Sequence, residues 1–212
     1  MAGYLDPEDP RIGLLLAYLD HVKERAASGA YSDVNRKALV EALEALESKV
    51  QSVRYSYMPP DDAVEGLRPE AERLLELLEG VEEPELRWLA EYLEGLLGSF
   101  LSEDVEDEAD AVPCVAVRVV DVRDHPSADG LKVTVVDAGE FGKRTVVTNL
   151  EDVSEGDVMA LALLPPREFS GVVSEGMFCG DPGDVEPGSR VEPPERGEVR
   201  SVVMEWLSGK IR

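Results

Sequence analysis

Several residue types and motifs on which large protein classes depend are scarce in this 212-residue chain or missing from it. The two cysteines, Cys114 and Cys179, are too few for a disulfide framework, and they form no CxxC pair of the kind that binds zinc. The two histidines, His21 and His125, belong to no HExxH motif, and no GxSxG or GKS/T motif occurs. We therefore predict no catalytic set, no metal site and no cofactor.

Long apolar runs are also absent. No run approaches the roughly 18 residues that a membrane-spanning helix needs. The first ten residues lack the basic and then apolar regions of a signal peptide. Together with the low cysteine content, these features predict a cytoplasmic protein without a membrane partner.

Positive charge is scarce as well. The chain carries 21 Lys and Arg against 45 Asp and Glu, a net charge of −24. Residues 113–197 alone contain 8 basic and 16 acidic residues, so the excess is not confined to one tail. This balance argues against a generic attraction to nucleic acid, whose phosphates are bound mainly by Lys and Arg. A salt-rich or hot cytoplasm, in which acidic surfaces keep proteins soluble, is one explanation.

Residues 1–101 contain four amphipathic segments. Their apolar residues recur every three or four positions, which is typical of helices with one buried face. We predict helices over about residues 12–22, from near Ser32 and Asp33 to residue 53, from about Pro69 to Glu79, and over residues 86–100. Because the connections are short, the pattern predicts a helical bundle or two α-hairpins.

Two further segments flank the second half of the chain. Residues 102–112 are acidic and contain no basic residue, so we expect a solvated linker; a phosphate mimic that occupies a basic cleft is the alternative. Residues 198–212 predict an amphipathic helix, which would dock on its own chain or form a homodimer or partner contact. The stripe of that helix contains Val199, Val202, Val203, Trp206 and either Leu207 or Ile211.

Residues 113–197 have the pattern of a β-rich unit. Runs of β-branched residues at 115–122, 131–138, 144–148 and 158–164 are separated by Gly, Pro, Asp and Asn, and a turn-rich stretch follows. The pattern predicts about five antiparallel strands. A unit of this size suits a small closed barrel of the OB type, which hides its sheet edges. The fold class is therefore predicted as α+β, with an N-terminal helical bundle followed by a five-stranded OB-fold β-barrel.

Three motifs in the β-rich unit resemble those of a known family. HPSADGLKV (His125–Val133), VVTNL (Val146–Leu150) and SGVVSEGM (Ser170–Met177) have the order and separation found in the tRNA-binding domain family of OB-folds. That family occurs in methionyl-tRNA synthetases, in the β-subunit of bacterial phenylalanyl-tRNA synthetase, in endothelial monocyte-activating polypeptide, and in free-standing tRNA-binding and export-chaperone proteins. The resemblance covers about residues 113–197 and implies a tRNA-binding surface.

The resemblance implies that RNA meets two loops that border the OB-fold groove. The first contains His125, between the first two strands, and the second is the SGVVSEGM motif. We expect phosphate contacts from nearby basic residues and stacking from an aromatic ring. The expected RNA-binding residues are Arg123, His125, Lys132, Lys143, Arg144, Arg167, Phe169 and Ser174.

Some basic positions of the family pattern are missing from this chain. Gly130 stands where the family usually has a lysine, and Lys132 lies two residues away. The run LLPPREFSG, at residues 163–171, replaces one that looks like NLKPxKxRG and retains Arg167 as its basic residue. The loss of about three phosphate contacts should weaken tRNA binding and flatten its dependence on salt.

Three hypotheses follow for the function. The first is a non-catalytic protein that binds structured tRNA through the barrel and docks through its helical domain to another protein, such as an aminoacyl-tRNA synthetase, near which it raises the tRNA concentration. The second is a barrel that has lost RNA binding and acts as a protein-interaction or chaperone-like module with an acidic, partly apolar surface. The third is a truncated relative of the phenylalanyl-tRNA synthetase β-subunit.

Overall fold

The computed structural model describes residues 4–210 and divides into two compact units. The first contains the chain up to Ala111 and again from Met204, and the second is Val112–Val203. Helices dominate the first unit and an antiparallel sheet the second, so the predicted α+β class is confirmed. The α-helices are α1 (Pro10–Ser28), α2 (Arg36–Arg54), α3 (Pro60–Leu78), α4 (Pro84–Leu97) and α5 (Arg196–Leu207). No helix between residues 4 and 210 is long and apolar enough to cross a membrane.

Local sequence signals set both ends of α1. Asp9 is the N-cap, and its carboxylate accepts a hydrogen bond from the backbone N–H of Arg11 at 2.9 Å. Pro10 occupies the first turn, where a backbone N–H would have no partner within the helix. Gly29 ends the helix at a φ of 84°, the left-handed conformation that glycine adopts without a steric penalty. Between these ends, the predicted apolar face of α1 is buried.

The third helix is longer than we predicted. It begins at Pro60 and runs through Pro69 to Leu78, whereas we placed its start at Pro69. A proline inside a helix removes one backbone hydrogen bond and costs about 3 kcal/mol. Leu67 and Leu74, on either side of Pro69, are both buried. One continuous packed face therefore outweighs the local cost of the proline.

The start of α2 also differs from the prediction. Its N-cap is Asn35, and not Ser32 or Asp33. The side-chain oxygen of Asn35 accepts a hydrogen bond from the backbone N–H of Ala38 at 3.1 Å. Asn, Asp and Ser are similarly good N-caps, so residue type alone could not distinguish among neighbouring candidates.

A carboxylate lies at the polar edge of the helical core. Oε2 of Glu85 accepts hydrogen bonds from the Tyr31 hydroxyl at 2.5 Å and from Nε of Arg25 at 3.2 Å. Oε1 of Glu85 lies 3.5 Å from Nε2 of His21. Burial by itself would raise the pKa of Glu85, but the hydrogen bonds of His21 and Tyr31 and the charge of Arg25 outweigh it and lower that pKa to about 2. The ionised carboxylate thus joins α1 and the α1–α2 connection to the first turn of α4.

The acidic segment is solvated only in part. Ala109 and Ala111 are buried, so the prediction of a solvated linker is wrong at these positions. The beginning of the segment is held by Arg11, whose guanidinium donates to the carbonyl oxygens of Phe100 and Glu103. The many carboxylates of this segment favoured a prediction of full exposure. The alanine side chains nevertheless supply enough apolar surface to pack among charged neighbours.

The second unit is built on a curled sheet with strand order β3-β2-β1-β4-β7, beside a separate β5–β6 hairpin. The strands are β1 (Cys114–Asp124), β2 (Lys132–Asp137), β3 (Lys143–Thr148), β4 (Val158–Ala162), β5 (Arg167–Phe169), β6 (Val172–Ser174) and β7 (Met177–Phe178). A bulge between Val119 and Asp121 bends β1, which pairs with β4 along its first half and with β2 along its second. Alternate valines of β1 enter the core. The arrangement is consistent with the predicted OB-fold.

Two side chains at the end of β6 cover the edge strand β3. Oγ of Ser174 accepts a hydrogen bond from the backbone N–H of Val147, and Oε2 of Glu175 accepts one from that of Thr145, both at 3.0 Å. The backbone N–H of Glu175 donates to the carbonyl oxygen of Thr145 at 2.8 Å. Glu175 also forms an ion pair with Arg144, with 3.6 Å between Oε1 and Nη1. Outward-facing amides of β3 are thus satisfied by side chains as well as by backbone.

The C-terminal amphipathic segment forms α5. Val199, Val203 and Trp206 on its predicted stripe are buried. The Trp206 ring lies 5.5 Å from that of Tyr18, measured between centroids. The stripe therefore packs within its own chain, the first of the two alternatives that we predicted. Ile211, which we considered for the same stripe, lies outside the described residues.

Candidate nucleic-acid interface

The loop between β1 and β2 is anchored to the turn between β5 and β6. Nε2 of His125 lies 2.9 Å from the carbonyl oxygen of Phe169, and Oγ of Ser127 donates to that of Ser170 at 2.7 Å. Nδ1 of His125 accepts a hydrogen bond from the backbone N–H of Ser127 at 3.2 Å, so we assign the proton to Nε2, which donates to Phe169. His125 was predicted at the RNA surface, but its ring is buried and holds the two loops together.

The β5–β6 connection is a two-residue turn at Ser170 and Gly171. Both residues have positive φ, 48° and 91° respectively. Two consecutive positive values are typical of the type I′ turn, whose twist matches that of a two-stranded hairpin. Because its backbone is constrained and Ser127 binds it, this turn is a firm support for Arg167 and Phe169 in β5.

Three of the predicted phosphate-binding residues are exposed: Arg123 near the end of β1, Lys143 at the start of β3 and Arg167 at the start of β5. The Arg167 guanidinium lies 5.4 Å from the centroid of the half-buried Phe169 ring, a cation–π distance. Lys132 is half-buried, and its Nζ donates to a backbone carbonyl oxygen of the β3–β4 connection. The barrel thus presents dispersed cations.

Two other predicted RNA-binding residues are buried in the barrel. Arg144 and Ser174 are each 3% exposed, which leaves too little surface for contact with a phosphate outside. We correct their role from RNA contact to closure of the barrel at β3. The sequence contained the signal for Arg144, because alternate residues of a strand share a face and Val146, two positions on, is a core residue.

A groove of about 850 Å³ lies along one side of the barrel. Its apolar lining residues are Leu131, Val147, Leu150, Val158, Met159, Phe169, Met177 and Phe178. Four carboxylates line it too, those of Asp157, Asp181, Glu195 and Glu198. Among the described residues that line this groove there is no Lys or Arg, so an RNA phosphate would meet like charge. The groove is better suited to an apolar or cationic ligand than to an RNA backbone.

A smaller cleft of about 340 Å³ lies at the β1–β2 loop. Its charged and titratable lining residues are Asp124, His125, Asp129, Lys132 and Glu151. A single lysine among three carboxylates gives a phosphate little net attraction. The exposed cations of the barrel, outside both cavities, are therefore the better candidates for contact with RNA.

Sequence reasoning missed the role of Glu175 and the chemistry of the groove. Glu175 stands beside Ser174 in the SGVVSEGM motif, and an acidic residue next to a predicted barrel contact was the available signal. The four groove carboxylates are spread over about 40 residues of sequence, so only the fold brings them together. Between residues 4 and 210, no cluster of three or more His, Cys, Asp or Glu side chains is placed to hold a metal ion.

The β-rich unit matches a known protein family. Residues 115–199 match the model of a family described as "Putative tRNA binding domain". The resemblance predicted from the three motifs is thereby confirmed for this part of the chain. The match includes both anchored loops and the exposed Arg123, Lys143 and Arg167.

Individual relatives match only part of this chain. The phenylalanine–tRNA ligase beta subunit of Thermotoga maritima is 43% identical over 77 residues, which are 31% of this chain and 9% of that protein. The cytoplasmic tyrosine–tRNA ligase of Gallus gallus is 40% identical over 88 residues, 36% of this chain and 16% of that protein. A crystal structure of a MetRS-related protein from Pyrococcus horikoshii is 26% identical and covers 42% of this chain and 100% of its own, with a TM-score of 0.36. The chain thus spans less than a fifth of the length of these two ligases.

Proposed function

We propose that this chain, whose residues 115–199 form a domain of the tRNA-binding family, is a non-catalytic cytoplasmic protein that binds folded tRNA through its barrel. The family match is the observation that carries the proposal. The exposed Arg123, Lys143 and Arg167 supply the charge for phosphate contacts. Phe169 is the aromatic ring at the two anchored loops, and a single ring offers little surface for base stacking. Recognition would therefore depend on the shape and backbone of the RNA.

The acidic exterior sets the strength of this binding. Each neutralised phosphate contributes close to one unit to the slope of log affinity against log salt. Three or four cations therefore imply a weak complex with a shallow salt dependence. Such a complex suits a carrier that holds tRNA near an enzyme, raises its local concentration and then releases it.

A titration with bulk tRNA tests the proposal. We expect the double variant Arg123→Glu, Arg167→Glu to bind roughly tenfold more weakly than the wild type at low salt, with a salt slope reduced by about two, because two phosphate contacts become repulsive. Fluorescence anisotropy with labelled tRNA at two salt concentrations measures both quantities.

The double variant Arg118→Glu, Arg190→Glu is the matched control, since both residues are exposed barrel cations outside the predicted set and the change in net charge is the same. An equal loss in this control would mean that net charge, and not a defined surface, governs binding. Wild-type affinity that stays at the non-specific level would reject the tRNA proposal.

The helical unit is proposed to dock to a protein, with an aminoacyl-tRNA synthetase as the first candidate partner. Three tyrosines, Tyr4, Tyr55 and Tyr57, are 73%, 58% and 63% exposed. The backbone N–H of Leu5 donates to the carbonyl oxygen of Met58 at 2.8 Å, which places the Tyr4 segment beside the α2–α3 connection that carries the other two. Exposed aromatic residues grouped in this way are typical of interface hot spots. A homodimer through the same tyrosines is the alternative that we retain.

Sedimentation with purified synthetases from the same organism tests this docking. We expect the triple variant Tyr4→Ser, Tyr55→Ser, Tyr57→Ser to lose at least about 30-fold in affinity for the partner synthetase, as hot-spot residues do, while its affinity for tRNA stays unchanged. The wild type alone, examined at several concentrations, reports the homodimer. Docking to a synthetase is excluded if every synthetase sediments independently of this chain. The homodimer is excluded if the wild type alone sediments as a monomer.

The acidic groove favours a second function, that of a protein-interaction or chaperone-like module. Its apolar surface and four carboxylates complement an extended segment that carries both apolar and basic side chains. The titration with bulk tRNA distinguishes this function from tRNA binding. Failure to bind tRNA even at low salt, together with binding of a Lys- and Leu-containing peptide that Glu195→Lys abolishes, would favour the groove.

A further inference from the structure

The two cysteines of the chain are in contact on the face of β1 and β4 opposite the barrel core. Cys114 begins β1 and Cys179 follows β7, 65 positions later in the sequence. Their Sγ atoms are 3.3 Å apart, and the residues are 6% and 0% exposed. Two thiols so far apart in sequence are in direct contact, a feature that neither the proposed tRNA binding nor the acidic groove requires.

The fold explains why these side chains can approach each other. Cys114 is the cross-strand partner of Ala162 in β4, and the backbone N–H of Cys179 donates to the carbonyl oxygen of Ala160 in the same strand at 2.9 Å. Both cysteines are therefore anchored on one short stretch of β4. The residues at 160 and 162 are alanines, whose small side chains leave room for two sulfur atoms above the strand.

The contact also makes the two thiols unequal. The hydrogen bond with Cys114 lowers the pKa of the Cys179 thiol despite burial. The same hydrogen bond, together with burial, raises the pKa of the Cys114 thiol. Cys179 is therefore the thiol of the pair that loses its proton more easily, and Cys114 is placed to resolve an oxidised Cys179.

We propose that Cys114 and Cys179 are an oxidative modification site, at which a hydroperoxide forms an intramolecular disulfide. In the first step, the Cys179 sulfur attacks a peroxide oxygen: an S–O bond forms, the O–O bond breaks, and the leaving oxygen takes the thiol proton. In the second step, the Cys114 sulfur attacks the sulfenic sulfur: the S–S bond forms, the S–O bond breaks, and hydroxide leaves with the Cys114 proton as water. Hydrogen peroxide is thereby reduced to two waters and two thiols are oxidised to one disulfide.

The disulfide would stabilise the barrel by closing a long loop. It joins residues 65 positions apart, so it encloses β1 to β7 and restricts the unfolded chain strongly. A barrel of this size should gain roughly 10 °C in Tm. Phe178 and Gly180, which flank Cys179, line the acidic groove, so the oxidised form should also have a less mobile groove wall.

Thiol labelling of the full chain tests the proposal. The reduced protein is treated with a small excess of hydrogen peroxide, quenched, denatured and reacted with N-ethylmaleimide. We expect two labels before oxidation and none after it, with a monomeric mass lower by two hydrogens and a cross-linked peptide that contains Cys114 and Cys179. The Tm should rise on oxidation and return to its starting value after dithiothreitol.

The variants Cys114→Ala and Cys179→Ala are the controls, and neither should gain Tm on oxidation. If either variant fails to fold, the comparison of the oxidised and reduced wild type still shows whether the disulfide forms and raises the Tm. Retention of both labels, sulfinic acid at one cysteine without a cross-link, or disulfides between two chains would each overturn the proposal.

Discussion

Replacement of Glu175 by alanine is expected to lower the free energy of unfolding of the barrel by about 3–5 kcal/mol, because it breaks a buried ion pair and leaves its partner charge behind. Arg144 and Glu175 are 3% and 7% exposed, so water can replace little of the lost interaction. The substitution also removes the acceptor of the Thr145 N–H at the edge of β3. The buried guanidinium of Arg144 and the backbone N–H of Thr145, both in β3, therefore lose Glu175 as a partner at the same time.

Hydrogen exchange of the β3 amides measures this effect, since residues 112–203 contain no Trp or Tyr that could report it optically. Glu168→Ala is the matched control, because Glu168 is an exposed carboxylate on the neighbouring hairpin and its loss should cost less than about 0.5 kcal/mol. The double variant Arg144→Met, Glu175→Gln should recover part of the stability, since both charges of the buried ion pair are removed together. Equal effects of Glu175→Ala and Glu168→Ala would contradict the closure of the barrel by Glu175.

Acidification is expected to destabilise the helical unit through Glu85. The pKa of this carboxyl falls from an ordinary value of 4.5 to about 2 on folding, so the folded state favours the ionised form. The contribution is complete above the unfolded pKa and is lost as the pH falls from about 4.5 to 2. A shift of this size corresponds to about 3 kcal/mol. The side chain is 14% exposed, so solvent screening removes little of that amount.

The difference between the wild type and Glu85→Gln isolates this contribution from those of the other carboxylates. Urea unfolding at pH 6, 4 and 3 can be followed by tryptophan fluorescence, because Trp88 and Trp206, the two tryptophans of the chain, both belong to the helical unit. The stability gap between the two proteins should narrow steadily toward low pH. Glu24→Gln, at an exposed position of α1, should show no such narrowing. A difference in unfolding free energy between the wild type and Glu85→Gln that stays constant with pH would falsify the lowered pKa of Glu85.

The elements of this fold could be predicted from the sequence wherever one physical signal dominated. Apolar residues at helical spacing identified α1, α2 and α4, and β-branched runs identified β1 to β4. The start of α3 was wrong because Pro69 is a strong local signal, while the packing of Leu67 and Leu74 across it is a property of the whole bundle. The burial of Ala109 and Ala111 was missed for the same reason, since it depends on neighbours distant in sequence.

The site was predicted less well than the fold because motifs identify residues without their orientation. Arg144 and Ser174 were correctly located in the barrel, but a basic side chain in a strand can face RNA or an internal carboxylate. The deciding partner of Arg144 is Glu175, which the sequence does not pair with it. His125 lies in the β1–β2 loop and lines the smaller cleft, and its two ring nitrogens bind backbone groups of Ser127 and Phe169 that adjoin only in the folded chain.

The covered edge of β3 restricts how copies of this protein can associate. With Ser174 and Glu175 bound to the amides of Val147 and Thr145, a strand from a second molecule has no donors to pair with at those two positions. Growth of the sheet into a continuous ribbon or a fibril is therefore blocked along this margin. Self-association has to proceed through side-chain surfaces, where a charge as negative as that of this chain keeps neighbouring molecules apart.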